Sequence, residues 1–203
     1  MWFKNLQLFR LPEGWARSIL FNPQARGLFA DFLADPGRFA LGVCNGCQMF
    51  STLSELIPGA EHWPRFVRNR SEQFEARYSQ VEIPENNSVM LSGMAGARLP
   101  VVVAHGEGRA QFADANAIQT LGNKQQITMR FVQGREPAQR YPANPNGSPE
   151  GITGLSNADG RVTILMPHPE RNIRATSNSW QPEGWAEFSP WIEMFRAARR
   201  WVG

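Results

Sequence analysis

An α/β fold is predicted from three features of the sequence. A short apolar run, Phe39-Ala40-Leu41-Gly42-Val43, passes through a turn flanked by Gly42 and Gly46 into a segment with helical spacing. Three later segments, Phe74 to Ile83, Leu99 to Ala104 and Ile127 to Val132, are rich in β-branched and aromatic residues, as strands are. The chain then closes on an amphipathic helical pattern. Strand and helix signatures that mix along one chain, rather than separating into blocks, define this class.

From Glu13 to Leu33 the spacing is helical, with a break at Asn22-Pro23, because proline disfavours the α conformation of the residue before it. The run 39–43 suits a buried parallel strand. Met49, Leu53, Leu56 and Ile57 then fall on one face of a helix that should end before Pro58-Gly59. Asp114 to Leu121 reads as a short helix. Residues 141–149 hold too much Pro, Asn and Gly for anything but an ordered loop. Arg161 to Met166 is a further buried strand. Ser189-Pro190 should cap a last helix whose apolar stripe is Trp191, Phe195, Ala198 and Val202.

The 203 residues suffice for one domain with a sizeable core. A net charge of +3 with scattered basic residues argues against a nucleic-acid surface. No apolar stretch approaches the ~20 residues needed to span a bilayer, and Asn5, Gln7 and Arg10 interrupt the opening segment as a signal peptide. Two cysteines three apart make no disulfide framework, so the chain reads as cytoplasmic with reduced thiols. Of seven tryptophans, Trp180, Trp185 and Trp191 cluster late. Core and edge packing accounts for them, and a docking face is the alternative.

Chemistry concentrates at Gly42-Val43-Cys44-Asn45-Gly46, where strand turns sharply into helix. This is a nucleophile elbow with Cys in place of Ser. The glycines are expected to relieve clashes in the tight turn. A helix N-terminus favours the thiolate, and the Asn45 N–H is placed to donate to a developing oxyanion. Cys44 and Cys47 also form a C-x-x-C pair, which leaves open a redox pair, half of a zinc site or purely structural cysteines. Zinc would need further ligands, and only dispersed histidines and carboxylates are available.

A second constellation is Met166-Pro167-His168-Pro169-Glu170-Arg171. On an extended segment His168 and Glu170, two apart, project to one side, so the carboxylate can orient the imidazole. With Cys44 they would form a Cys–His–Glu relay. His105, in Ala104-His105-Gly106-Glu107-Gly108, also follows a strand and has an acid two residues on. Spacing alone leaves it a rival for the base.

Gly42-Val43-Cys44-Asn45-Gly46-Cys47-Gln48, followed far downstream by Pro167-His168-Pro169-Glu170-Arg171, resembles the class I (triad) glutamine amidotransferases. Residues 63–69, 105–109 and 144–149 look like the C-terminal glutaminase domain of the phosphoribosylformylglycinamidine synthase family. The resemblance runs from Glu13 to the end, which sets residues 13–203 apart as the domain and residues 1–12 as a non-matching segment. It implies a flavodoxin-like fold, Cys44 as nucleophile and His168 with Glu170 as the other triad members. His105 then belongs to the glutamine-site wall or to a surface facing the synthase. Gln48, on the first turn of the helix, becomes a candidate contact to the substrate glutamine.

The resemblance also implies a partner, the synthase domain of the same polypeptide, which would bind ATP and Mg²⁺. No cofactor or metal is expected in this chain. The family's domain carries several βα units of ~30 residues before its nucleophile, whereas 43 residues precede Cys44 here. The first strands, and a glycine-rich loop giving a second oxyanion donor, are therefore expected to be missing, with low turnover by the chain alone. The rival reading is a non-catalytic remnant or docking module of that synthase.

Overall fold

A computed structural model describes residues 11–203. Most of the non-matching segment expected over 1–12 therefore lies outside the described residues. Helix α1 (Leu11–Phe21) and α2 (Pro23–Ala34) meet at the expected break. There Asn22 takes extended dihedrals, and its side chain accepts from the Ala25 N–H at 3.0 Å. Pro23 fits the first helical position, where no N–H is needed.

Strand β1 (Ala40–Val43) leads through Cys44 into α3 (Asn45–Thr52). This helix is shorter than the apolar spacing suggests. Leu56 and Ile57 are buried from a separate 3₁₀ turn, Ser54–Leu56, and its successor. The chain continues through β2 (Arg65–Val67), β3 (Glu75–Glu82), β4 (Arg98–His105), β5 (Arg109–Gln111), α4 (Ala115–Asn123), β6 (Ile127–Gln133), β7 (Glu136–Pro137), β8 (Ile152–Ser156), β9 (Val162–Leu165) and α5 (Ile192–Val202). The Asp114 side chain caps α4 by accepting from Ala117 N–H at 2.9 Å.

The main sheet runs β1-β9-β8-β6-β3-β4, with β7 paired to β6, while β2 and β5 form a separate ribbon. Only the β1–β9 pair is parallel, with Ala40 opposite Val162, and the remaining strand pairs are antiparallel. The α/β class expected from the sequence is therefore observed as a mixed sheet. The sheet curls until its ends approach: His168 N–H donates to Val102 O on β4 at 2.7 Å. Among the described residues β1 is the terminal strand on the other side.

Two apolar cores flank the sheet. One gathers Leu33, Phe50, Leu53, Ile57, Leu121, Leu155 and Ile164 between the helices and one face. The other gathers Val81, Ile83, Val101, Met129, Phe131, Trp191 and Met194. Each large apolar side chain so buried contributes about 1.5–3 kcal/mol. Trp191 is fully buried, with its ring N–H donating to Pro100 O at 2.8 Å. Trp185 packs on the second core, and Trp180 is exposed.

The last helix corrects the expected stripe. Phe195 is 37% and Val202 57% exposed, while Met194 and Ala197 are buried, Ala198 packs beside them and Trp201 lies edge-on to Phe39. The helix is thus rotated toward a face made by its smaller and more flexible side chains.

One buried cation braces the β1–β9 end of the sheet. The Arg161 guanidinium donates to Asp35 O at 2.6 Å, Arg38 O at 2.7 Å and Leu33 O at 3.3 Å. Its Nε donates to Asp159 at 2.8 Å. Two carbonyls at the end of α2, those of Leu33 and Asp35, thereby gain a donor, and the turn before β1 is tied to the start of β9.

Candidate active site

Three strand ends converge. Cys44 follows β1, His168 follows β9, and Ala104-His105 closes β4. Cys44 has φ 52° and ψ −104°, the left-handed turn that an elbow requires. Gly42 is needed there, since a Cβ would lie 2.5 Å from the Phe50 ring and 2.7 Å from Gly46 O. Gly46 has open space at its Cβ position, so the expected steric role holds for the first glycine and not for the second.

The Cys44 Sγ lies 3.8 Å from Ala104 O, and its N–H donates to Leu165 O at 2.9 Å. Asn45 is the first residue of α3, where no carbonyl one turn back is available to its N–H. Cys47 is fully buried in the first core, and burial, reinforced by Cys44, pushes its thiol well above the usual value. The two cysteines are therefore unequal: one is at a partly open elbow, the other is sealed.

His168 Nδ1–H donates to Glu170 Oε1 at 2.7 Å. The expected juxtaposition is observed, but by a different route. Pro169–Asn172 is a 3₁₀ turn rather than an extended segment, and it folds the carboxylate back onto the ring. The His168 Nε2 is buried and has no hydrogen-bond partner. Burial by itself would lower His168. The Cys44 and Glu170 side chains outweigh it and raise the imidazole from 6.5 to about 9.

Gln48 Nε2 donates to Glu107 O at 2.9 Å, which ties α3 to the loop after β4. His105, the rival base, is buried behind that loop with Asn146 Nδ2 3.3 Å from its Nε2. It faces no carboxylate in the way His168 faces Glu170. Among the described residues no group of three or more His, Cys, Asp or Glu is placed to hold a metal ion. No helix among them is long and apolar enough to cross a membrane.

Asn69, Asn144, Asn146 and Ser148 are the buried polar residues that motif reading left without individual roles. Asn69 donates to His105 O at 2.8 Å and accepts from Gly108 N–H at 2.9 Å. Asn144 donates to Ala138 O and Ser148 O, and Ser148 Oγ accepts from Ala110 N–H at 2.9 Å. The signal for Asn144, Asn146 and Ser148 is the Asn-rich composition of 141–149, which marks order without assigning partners, and for Asn69 it is the motif over 63–69.

A curled mixed sheet flanked by helices, with a thiol at the end of its parallel strand, is the α/β architecture of class I glutamine amidotransferase-like proteins. The chain belongs to the CobB/CobQ-like glutamine amidotransferase domain family (GATase_5), whose profile matches residues 12–202.

Among solved structures it is similar to PurLQS from Thermotoga maritima, with a TM-score of 0.60 and 21% identity over 82% of this chain. It spans 63% of that structure's chain, and at this identity the likeness is one of fold. A protein from Thermoplasma acidophilum, assigned as part of a GMP synthase, matches 88% of this chain and 64% of its own at 12% identity and a TM-score of 0.48. A glutamine amidotransferase from Thermotoga maritima matches 80% of this chain and 54% of its own at 16% identity and a TM-score of 0.40.

Proposed function

We propose that this domain hydrolyses glutamine through Cys44, His168 and Glu170 and supplies the ammonia to a synthase. The observation that carries the reading is a buried imidazole that Glu170 orients at 2.7 Å and whose charged form is supported by the side chain of Cys44 at the elbow. With Glu170 supporting the charged imidazolium, His168 can take the proton of the thiol.

The thiolate attacks the side-chain amide carbon, and the oxyanion is received by the Asn45 N–H. The imidazolium protonates the departing nitrogen, the C–N bond breaks, and ammonia leaves a γ-glutamyl thioester. Neutral His168 then takes a proton from water, which attacks the thioester. Glutamate is released and the thiol returns. Glu170 holds the imidazole tautomer and stabilises its charged form. Gln48, whose amide N–H donates to Glu107 O, is the candidate contact to the substrate glutamine through its side-chain carbonyl.

The motifs over 63–69, 105–109 and 144–149, together with the fold likeness to PurLQS, support one destination for the ammonia. It is amidine formation by phosphoribosylformylglycinamidine synthase in de novo purine biosynthesis. ATP and Mg²⁺ belong to that synthase region, which sits on the same polypeptide, in the cytoplasm.

The test is mass mapping after brief treatment with a glutamine-like diazo-ketone, beside glutamate release from glutamine. Adduct on Cys44, with release abolished in Cys44→Ala and retained in Cys47→Ser, is expected. Label mainly on Cys47, or unreactive Cys44 with no glutamate release from the protein joined to its synthase, would make the domain a non-catalytic docking module.

A further inference from the structure

We propose that His105 is a positioning residue for the Cys44–His168 pair, locked by Asn146 as a neutral imidazole with its proton on Nδ1. The proposal rests on the glutaminase reading of the site.

The lock follows from hydrogen-bond bookkeeping. Asn146 Oδ1 accepts from the Ser148 N–H at 3.0 Å, and Nδ2 donates to Gly108 O at 2.7 Å. These two bonds fix which end of the amide is which, because a flipped amide would set oxygen against oxygen and N–H against N–H. The amide nitrogen therefore faces His105 Nε2, 3.3 Å away, with its second hydrogen. A donor facing Nε2 makes that atom the acceptor and leaves the ring proton on Nδ1.

The loop leaves the ring little room to escape. Asn69 holds both His105 O and Gly108 N–H. A Cβ at Gly108 would lie 2.2 Å from the His105 ring, so only glycine allows the loop to close over it.

No carboxylate near His105 is left to support a cation there. Glu170 is bonded to His168, and Glu107, on the same loop, is engaged by Gln48. Glu75, opposite His105 on β3, is ion-paired to Arg77 at 3.0 Å. Burial and the nearby charge of His168 hold His105 down at about 4, opposed only by the Met166 carbonyl, and its Nδ1 is buried without a well-formed hydrogen bond.

Neutrality matters for two reasons. The peptide joining His105 to Ala104 presents the carbonyl that the Cys44 thiol meets at 3.8 Å, so the anchored ring sets the direction of the thiol. A charge on His105 would also stand beside the His168 imidazolium and make it a weaker base.

The full chain has three histidines, His62, His105 and His168, so ¹⁵N–¹H imidazole spectra can be assigned with single-residue variants. In the unaltered protein His105 should show an Nδ1-protonated pattern that is constant from pH 8 to about 5. Asn146→Asp replaces the donor by an acceptor. It should protonate His105 at neutral pH, lower the His168 titration by about one unit or more, and cut kcat at pH 7 on the order of ten-fold with KM nearly unchanged. Asn146→Ser, which keeps a donor, should leave His105 neutral and restore most of kcat.

A proton on Nε2 in the unaltered protein, or titration of His105 near neutrality, overturns the lock. So does a His105 that stays neutral in Asn146→Asp. An unchanged pH profile of kcat in that variant overturns the positioning role. If glutamate release survives Cys44→Ala, the glutaminase reading fails separately, since the tautomer is read without turnover.

Discussion

Two strand ends in this molecule carry the same three-residue pattern, histidine, one spacer, glutamate, and they reach opposite results. After β9, Pro169 begins a 3₁₀ turn that returns Glu170 to the ring of His168. After β4, Gly106 opens the tight connection to β5, and Glu107 is carried away to Gln48. One imidazole is raised to about 9 and the other is lowered to about 4. The pair of residues is the same, so the difference lies in the spacer, with a fixed φ at one end and a free one at the other, together with the turn and the partners that follow it.

The comparison can be broken most directly at the two rings. His168→Ala should lower kcat for glutamate release by about 10²–10⁴, the range for loss of a general acid–base group. His105→Asn should lower it far less. Equal losses in a steady-state assay would erase the distinction between base and positioning residue.

The acids give the next effect. Glu170→Gln should cost on the order of ten-fold or more in kcat, less than His168→Ala, because in the proposed relay the carboxylate orients and stabilises without moving the proton. Glu107→Gln should stay within about two-fold, since it removes a charge that no catalytic proton meets. A larger loss from Glu107→Gln would invert the assignment.

Stability against pH separates the rings in another way. His168 is raised, so its contribution is fully present below about 6.5 and fades as pH climbs through about 9. His105 is lowered, so its contribution is present above about 6.5 and fades as pH falls toward about 4. Thermal unfolding midpoints should show His168→Gln flattening the alkaline slope and His105→Asn flattening the acid slope. The smallest effect is expected from Pro169→Gly, which makes one strand end imitate the other. Freeing φ there costs about 0.4–1 kcal/mol, which should lower the His168 titration by roughly half a unit.

Much of the fold is legible where one signal dominates. The break at Asn22-Pro23, the strands around residues 75–82, 98–105 and 127–133, and the elbow at Cys44 all follow local chemistry. Strand β8 was invisible, because Ile152–Ser156 mixes Gly, Thr and Ser and is fully buried between two partners, so it shows no alternation. The ribbon strands β2 and β5 have three residues each and are too short for periodicity to register.

The face of α5 is ambiguous in the sequence because two stripes satisfy helical spacing. Aromatic Phe195 looked like core, yet Met194 and Ala197 fit the closed space beside Trp191. At the site, spacing put acid and base within reach. It could not tell which of the two patterns would fold back, since that depends on the turn that follows and on the partners each loop finds.

The parallel pairing of β1 with β9 sets an order of assembly. Ala40 lies opposite Val162, so the strand that presents the thiol is made early and its neighbour late. At about 5–20 residues per second, on the order of ten seconds separate the emergence of Cys44 from that of His168. Throughout that interval the nascent chain carries Cys44 without the imidazole that the closed sheet sets near it. The two halves of the site therefore meet only once nearly the whole sheet has been made.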